Sequence, residues 1–322
     1  MTDLFAGVDL GGTNVTMALG TAEGKIEASS KIPTRAQEGP EAVIRRIAEG
    51  VQALVRETGR APAALGMGVP GLIDLPRGVT KFLPNLPTQW RDVPVASLLG
   101  SALKCEVFLL NDVRAATFGE LVFGLGREAR TMVFFALGTG IGGGIAIDGR
   151  LRLGPLGAAG ELGHLTVLPD GPPCGCGSRG CLETLASGPA IVAEGVRLLS
   201  SGLAPRLHEI AGGQASGVTG EAMARAAREG DANVKEAIAR AGRFLGIGVA
   251  NLITTLHPDL VVVGGGVAGM GDLLLDPVRA EVRSRVKMMP PESVRIERSA
   301  LGDRAGVMGA LALAARRGRA EA

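Results

Sequence analysis

Residues 161–183 gather side chains that could do chemistry: Glu161, His164, Cys174, Cys176, Cys181 and Glu183. The chain has only four cysteines and three histidines, so this crowding needs a reason. One imidazole nitrogen and three sulfurs form the donor set of a closed tetrahedral zinc site. The Cys-x-Cys-x4-Cys spacing, filled by Gly, Ser and Arg, suits a chelating knuckle. A catalytic thiol needs a base rather than two neighbouring thiols. Four protein ligands leave no position for a metal-bound water, so the expected zinc is structural. With one ring nitrogen on the metal, His164 would present the other as an N–H donor. Flanked by the acceptors Glu161 and Glu183, that donor makes a wall suited to a polyhydroxyl ligand such as a sugar. Cys105 lies in an apolar context and reads as a core residue. His208 and His257 have no partner pattern and read as structural.

Asp112 is the best candidate base. Asn111-Asp112 follows a strand expected over 106–110, and open α/β sheets place ligands beyond the carboxyl ends of their strands. A carboxylate there could accept a hydroxyl proton as the oxygen attacks a γ-phosphate. It could equally cap the helix expected over 113–123. The residue alone leaves both roles open.

Three glycine loops complete the chemistry-bearing set. Gly11-Gly12-Thr13-Asn14 separates two expected strands, 4–10 and 15–20, and Gly138-Thr139-Gly140-Ile141-Gly142-Gly143-Gly144 follows a strand over 130–137. The second loop matches GxGxxG but is followed by a strand and an Asp148-Gly149 hairpin turn, not by the helix that a dinucleotide fingerprint requires. Gly264-Gly265-Gly266-Val267-Ala268-Gly269 also matches, after a strand over 260–263 and before an expected helix. Too little chain follows it for a βαβαβ unit. Glycines without Cβ let backbone N–H groups approach phosphate oxygens, and Thr13 and Thr139 add hydroxyls. Two equivalent loops plus a third favour a nucleotide over plain turns.

The elements that must position these residues alternate throughout: a third strand at 25–32, an amphipathic helix at 41–57, a strand at 64–69, a long helix at 231–256 stopped before Pro258, and an Ala-rich helix at 303–317. This is an α/β pattern. The strand–glycine–strand units at 5–16 and 132–147 echo one another and imply two related domains facing a cleft. Their expected bounds are 1–110 plus 303–322 for a smaller domain and 111–302 for a larger one that carries the knuckle.

Composition excludes several classes. With 34 Lys and Arg against 32 Asp and Glu, the net charge of +2 gives no field for wrapping nucleic acid or adhering to a membrane. Aromatics at 3%, with no Tyr, leave few platforms for stacked bases. The first residues lack the basic and apolar regions of a signal peptide. The uncharged run 131–147 is short of a membrane span and rich in glycine, so it reads as a buried strand and loop. The expected compartment is the cytoplasm, where disulfides are rare.

These residues carry a resemblance. Asp9-Leu10-Gly11-Gly12-Thr13-Asn14, Gly68-Val69-Pro70-Gly71, Pro84-Asn85-Leu86-Pro87, Asn111-Asp112, Leu137 to Gly144, Gly160-Glu161-Leu162-Gly163-His164 and the Cys174–Glu183 knuckle together resemble the ROK family (repressors, open reading frames, sugar kinases), in its bacterial glucokinase branch. The resemblance spans most of the chain. It implies an actin-like, ribonuclease-H-like two-domain ATPase fold with an interdomain cleft, and ATP-dependent phosphorylation of a hexose, glucose first, at the 6-hydroxyl. N-acetylmannosamine or fructose is the alternative substrate. Asp112 would be the base. Asn85, Asn111, Glu161, His164 and Glu183, with Asp112, would bind the sugar. Gly11, Gly12, Thr13, Asn14, Gly138, Thr139 and Gly140 would hold ATP phosphates, Gly265 and Gly266 would lie near the adenosine, and Asp9 would position Mg2+ through water. Many relatives carry Lys where Asn14 stands. The family's repressors resemble its kinases but add an N-terminal helix-turn-helix, for which no room precedes Asp9. Relatives are often dimers or tetramers, which implies a homodimer or homotetramer.

Overall fold

The computed structural model describes residues 3–83, 86–155 and 157–321. Pro84 and Asn85 fall outside the described residues, and with them the expected sugar ligand Asn85.

Two compact units divide the chain, Met1–Arg130 with Gly144–Gly160 and Ala300–Ala322, and Thr131–Gly143 with Glu161–Ser299. The boundaries differ from those expected of the sequence. The helix after Asp112 and the stretch 144–160 belong to the first unit, which is therefore the larger.

The first unit opens with the meander β1 (Leu4–Leu10), β2 (Asn14–Gly20) and β3 (Ile26–Pro33), followed by α1 (Pro40–Thr58) and β4 (Pro62–Val69). A small ribbon, β5 (Leu72–Asp74) and β6 (Val79–Phe82), precedes α2 (Val95–Leu103), β7 (Glu106–Asn111) and α3 (Asp112–Phe123). The sheet order is β3-β2-β1-β4-β7, with β1 antiparallel to β2 and parallel to β4, and β4 parallel to β7.

Strand periodicity sorts β1 into two faces. Ala6, Val8 and Leu10 join one core with Val43, Ile47 and Val51 of α1 and Val95 and Leu99 of α2. Phe5, Gly7 and Asp9 point to the opposite face, where Phe5 packs with Leu311 and Ala314.

The second sheet reads β10-β9-β8-β11-β12. Its strands are β8 (Met132–Leu137), β9 (Ile141–Ile147), β10 (Arg150–Leu151), β11 (Leu260–Gly264) and β12 (Arg295–Arg298). β11 is parallel to both β8 and β12, and it is buried throughout, as its unbroken apolar sequence requires. The helices are α4 (Glu183–Ala186), α5 (Gly188–Ser200), α6 (Pro205–Ile210), α7 (Gly220–Arg228), α8 (Ala232–Leu256) and α9 (Asp272–Arg285), with α10 (Ala305–Ala315) in the first unit. The two sheets repeat one order, strand for strand, so the sequence echo of the glycine hairpins is a real repeat. Glycines 142–144 lie inside β9, however, which confines the second loop to residues 138–140.

Asp231 caps α8, its side chain accepting from the Val234 amide, and His257 closes the helix in the left-handed conformation before Pro258. Asp148 and Gly149, at φ 53° and 72°, make the expected tight turn between β9 and β10. After Gly264 comes a 3-10 turn, Gly266–Met270, and then Gly271 before α9 begins. Among the described residues no helix is long and apolar enough to cross a membrane.

Candidate active site

In the first unit, β1, β4 and β7 end together. Asp9 pairs with Gly68, and Gly68 with Leu110, so Asp9 and the Asn111-Asp112 pair stand at the carboxyl edge of three parallel strands. This is where α/β sheets receive ligands. Asn111, not Asp112, caps α3: its Oδ1 accepts from the amides of Val113 (3.1 Å) and Arg114 (3.2 Å). Asp112 is the first helical residue, with Oδ1 2.9 Å from the Val113 amide. The helix cap that competed with the base for Asp112 is thus a role already filled next door.

Asp9 sits under α10. A Cβ on Gly306 would fall 2.4 Å from Asp9 Oδ2 and 2.6 Å from its Cγ, so any side chain there would push the carboxylate aside. Burial, and then the charge of Asp112, push the Asp9 carboxyl from 3.8 up to about 7. A buried carboxyl with a second acid beside it makes a natural place for a cation.

The loop at Gly11–Thr13 is fastened by a residue that sequence reading passed over. Buried Thr34 donates its hydroxyl to Gly11 O (2.7 Å) and its amide to Thr13 O (2.8 Å), while Gly11 N bonds Asn14 O (3.0 Å). Thr13 itself is exposed. No local signal marks Thr34, because its partners lie more than twenty residues away.

In the second unit the knuckle assembles as its spacing predicts. The ligand atoms of His164, Cys174, Cys176 and Cys181 all lie within 4.8 Å of one another. Cys174 Sγ is 3.6 Å from His164 Nδ1, and Cys176 Sγ is 3.8 Å from Cys181 Sγ. Zinc bond lengths give a tetrahedron with N···S edges of about 3.6 Å and S···S edges of about 3.8 Å. Both separations match those edges, and the sulfur separation is far beyond a disulfide bond. Burial pushes the Cys174 thiol up to about 12 and raises Cys181, whereas the Ser178 amide lowers Cys176. A divalent cation among them would offset the cost of the buried thiolates.

His164 Nδ1 is turned toward Cys174, and the side chain that carries the other ring nitrogen, Nε2, is 36% exposed. Glu183 links this wall to the second glycine loop. Its Oε1 accepts from Cys174 Sγ at 3.0 Å and lies 3.6 Å from His164 Nδ1, and its Oε2 would be 2.9 Å from a Cβ on Gly140. Gly138 N bonds Gly140 O (2.9 Å), and Gly138 O receives the Gly188 amide (2.9 Å) at the start of α5, so the loop is anchored beside Glu183. Glu161 begins the short 3-10 turn that ends at His164, its carbonyl accepting the His164 amide at 3.1 Å.

Gly265 folds against the end of β8. At φ 82°, with Leu137 O 2.4 Å from any Cβ, it keeps the third glycine loop at the mouth of the second. The remaining candidates are structural: Cys105 packs against the first core, and His257 Nε2 meets Ser293 Oγ at 3.1 Å.

The sequence profile of the ROK family matches residues 5–317. The glucokinase of Thermotoga maritima is 37% identical over 95% of this chain and 96% of its own. That of Streptomyces coelicolor is 35% identical over 97% of each. A solved ROK family glucokinase from Streptomyces griseus, in complex with glucose and AMPPNP, superposes with a TM-score of 0.84 at 34% identity, covering 97% of this chain and 99% of its own.

Proposed function

The chain belongs to the ROK family and has its actin-like α/β fold, and from that premise we propose that it transfers the γ-phosphoryl group of ATP to the 6-hydroxyl of glucose. The observation that carries this reading is the position of Glu183, whose carboxylate adjoins both His164 and the Gly138–Gly140 loop. Groups fit to bind hydroxyls and a loop fit to bind phosphates thus share one side chain.

Asp112 accepts the proton of the attacking hydroxyl. As the new O–P bond forms, the bond from the γ-phosphorus to the bridging oxygen breaks and its electron pair leaves on ADP. Asn85, Asn111, Glu161, His164 and Glu183 hold the sugar. Asn111 can serve only as a donor, because its Oδ1 is taken up by the helix cap. Gly11, Gly12, Thr13, Asn14, Gly138, Thr139 and Gly140 supply N–H and hydroxyl donors to the phosphates. Gly265 and Gly266 leave room for the adenosine. Mg2+ held through water by Asp9 would neutralise charge on the transferring group. Zinc on His164 Nδ1, Cys174, Cys176 and Cys181 would fix the His164 ring and the spacing of Glu161 and Glu183. A homodimer or homotetramer working in the cytoplasm without nucleic acid completes the proposal.

ATP-dependent turnover measured across a hexose panel tests it. Glucose should give the highest kcat/KM. A higher value with fructose or N-acetylmannosamine would reassign the sugar. No turnover with any hexose, by folded and zinc-loaded protein, would replace the kinase with a sugar-sensing regulator.

A further inference from the structure

Arg114 is 2% exposed, in the first turn of α3, where a guanidinium carries a large desolvation cost unless its donors are all used. Its Nε donates to Ala159 O at 3.1 Å, one terminal nitrogen to Ala158 O at 3.1 Å, and the other to Asn111 Oδ1 at 3.2 Å. The two carbonyls belong to a segment forty-four and forty-five residues further along the chain. Near those carbonyls Gly154, Gly157 and Gly160 all have positive φ (72°, 69° and 93°), and the described residues 157–160 lie outside regular structure. Such a stretch has little intrinsic preference for one path. It runs directly into Glu161.

We propose that Arg114 is the positioning residue that sets two sugar-binding groups at once, holding the Asn111 carboxamide in its rotamer and anchoring residues 157–160, which lead into Glu161. The inference rests on the hexose-kinase reading above. It touches no substrate. The planar fork reaches acceptors on two segments in fixed directions, which a lysine ammonium cannot reproduce. Asn111 Nδ2 bonds Gly71 O at 3.3 Å, so the carboxamide is held from both ends.

The test compares Arg114→Lys and Arg114→Met with wild type in the full, zinc-loaded chain, reading hexose KM, ATP KM, kcat, Tm and amide exchange. Loss of a charge-assisted clamp should raise hexose KM about tenfold in Arg114→Met while ATP KM stays within about twofold. Arg114→Lys should fall between, and if Arg114→Met does not fold, Arg114→Lys alone carries the test with a rise of about threefold. Amides of residues 157–163 should exchange faster in either variant while α3 stays protected. Unchanged hexose KM and unchanged exchange in a folded variant would overturn the inference. So would a parallel rise of both KM values with a fall in Tm, which marks a merely structural role. If wild type phosphorylates no hexose, the functional reading fails and this inference with it; normal turnover with indifferent Arg114 variants sinks this inference alone.

Discussion

Between Glu161 and Glu183 regular structure is sparse: a 3-10 turn, two isolated bridges and the start of a four-residue helix. Beside the candidate groups there, three cysteines and a histidine converge, their donor atoms all within 4.8 Å of one another. Around Asp9 and Asp112 there is no such convergence, and position comes from the carboxyl ends of three parallel strands, the Asn111 cap and a glycine of α10. One region spends a few ligands to fix a loop; the other uses the whole first unit. The first should therefore come apart locally when its ligands are removed. The second should fail either by losing one functional atom or by losing the fold.

The sharpest break is at Asp112. Asp112→Asn should keep the fold, because Asn111 supplies the cap, and lower kcat about 10²–10⁴-fold, the usual cost of removing a general base. Near-wild-type turnover in that variant would strip Asp112 of its role. Cys176→Ser comes next. It should lower zinc, measured by metal analysis against about one ion per chain in wild type, and raise hexose KM on the order of tenfold or more through loosened ligands. ATP KM should move less. If zinc is lost and hexose binding is normal, the knuckle is a staple only and His164 leaves the sugar site.

Gly306→Ala probes the packed corner. The new methyl must displace the Asp9 carboxylate, so the Mg2+ concentration for half-maximal rate should rise on the order of tenfold, as sub-ångström misplacement of catalytic groups implies. An unchanged Mg2+ requirement would separate Asp9 from the metal.

The smallest effect is on stability against pH. Asp9 titrates at about 7 in the folded chain and near 3.8 when unfolded. Between these values the native state holds a proton that the unfolded state has released, so stability falls as pH rises from about 4 to 7. Asp9→Asn should flatten that part of a Tm-against-pH curve recorded without divalent cations. A slope equal to wild type would place the coupling elsewhere.

What could be read from the sequence follows the same division. The knuckle was legible because its four donors lie within eighteen residues of one another in sequence and converge in the fold. The paired glycine hairpins were legible because each is a local pattern, repeated. The Thr34 and Arg114 contacts and the Gly306 approach were not, since each joins segments that only the folded chain brings together. The boundary at 110 failed for a related reason. A strand end looks like a domain edge in sequence, but α3 packs back on β4 and α10 and so stays with the first unit. Arg114 left a faint trace, an arginine one turn into a helix behind an Asn cap, but on a surface helix that would mean nothing.

The placement of α10 has a consequence for how the protein is made. Its backbone comes so close to β1 and β4 that a Cβ at Gly7 would lie 2.5 Å from Val307 O, and one at Gly66 2.0 Å from Ala310 O. At about 5–20 residues per second, nearly three hundred residues separate translation of β1 from that of α10, or about 15–60 s. Throughout that interval Phe5 and Ala64 lack the helix that covers them, while every residue of the second unit leaves the ribosome first. The nascent chain thus finishes its later half before its earlier one, and a ribosome that stalls short of Ala305 releases a first sheet whose Phe5 and Ala64 lack their cover. Chaperone dependence and aggregation of truncated products should follow those residues and not the knuckle.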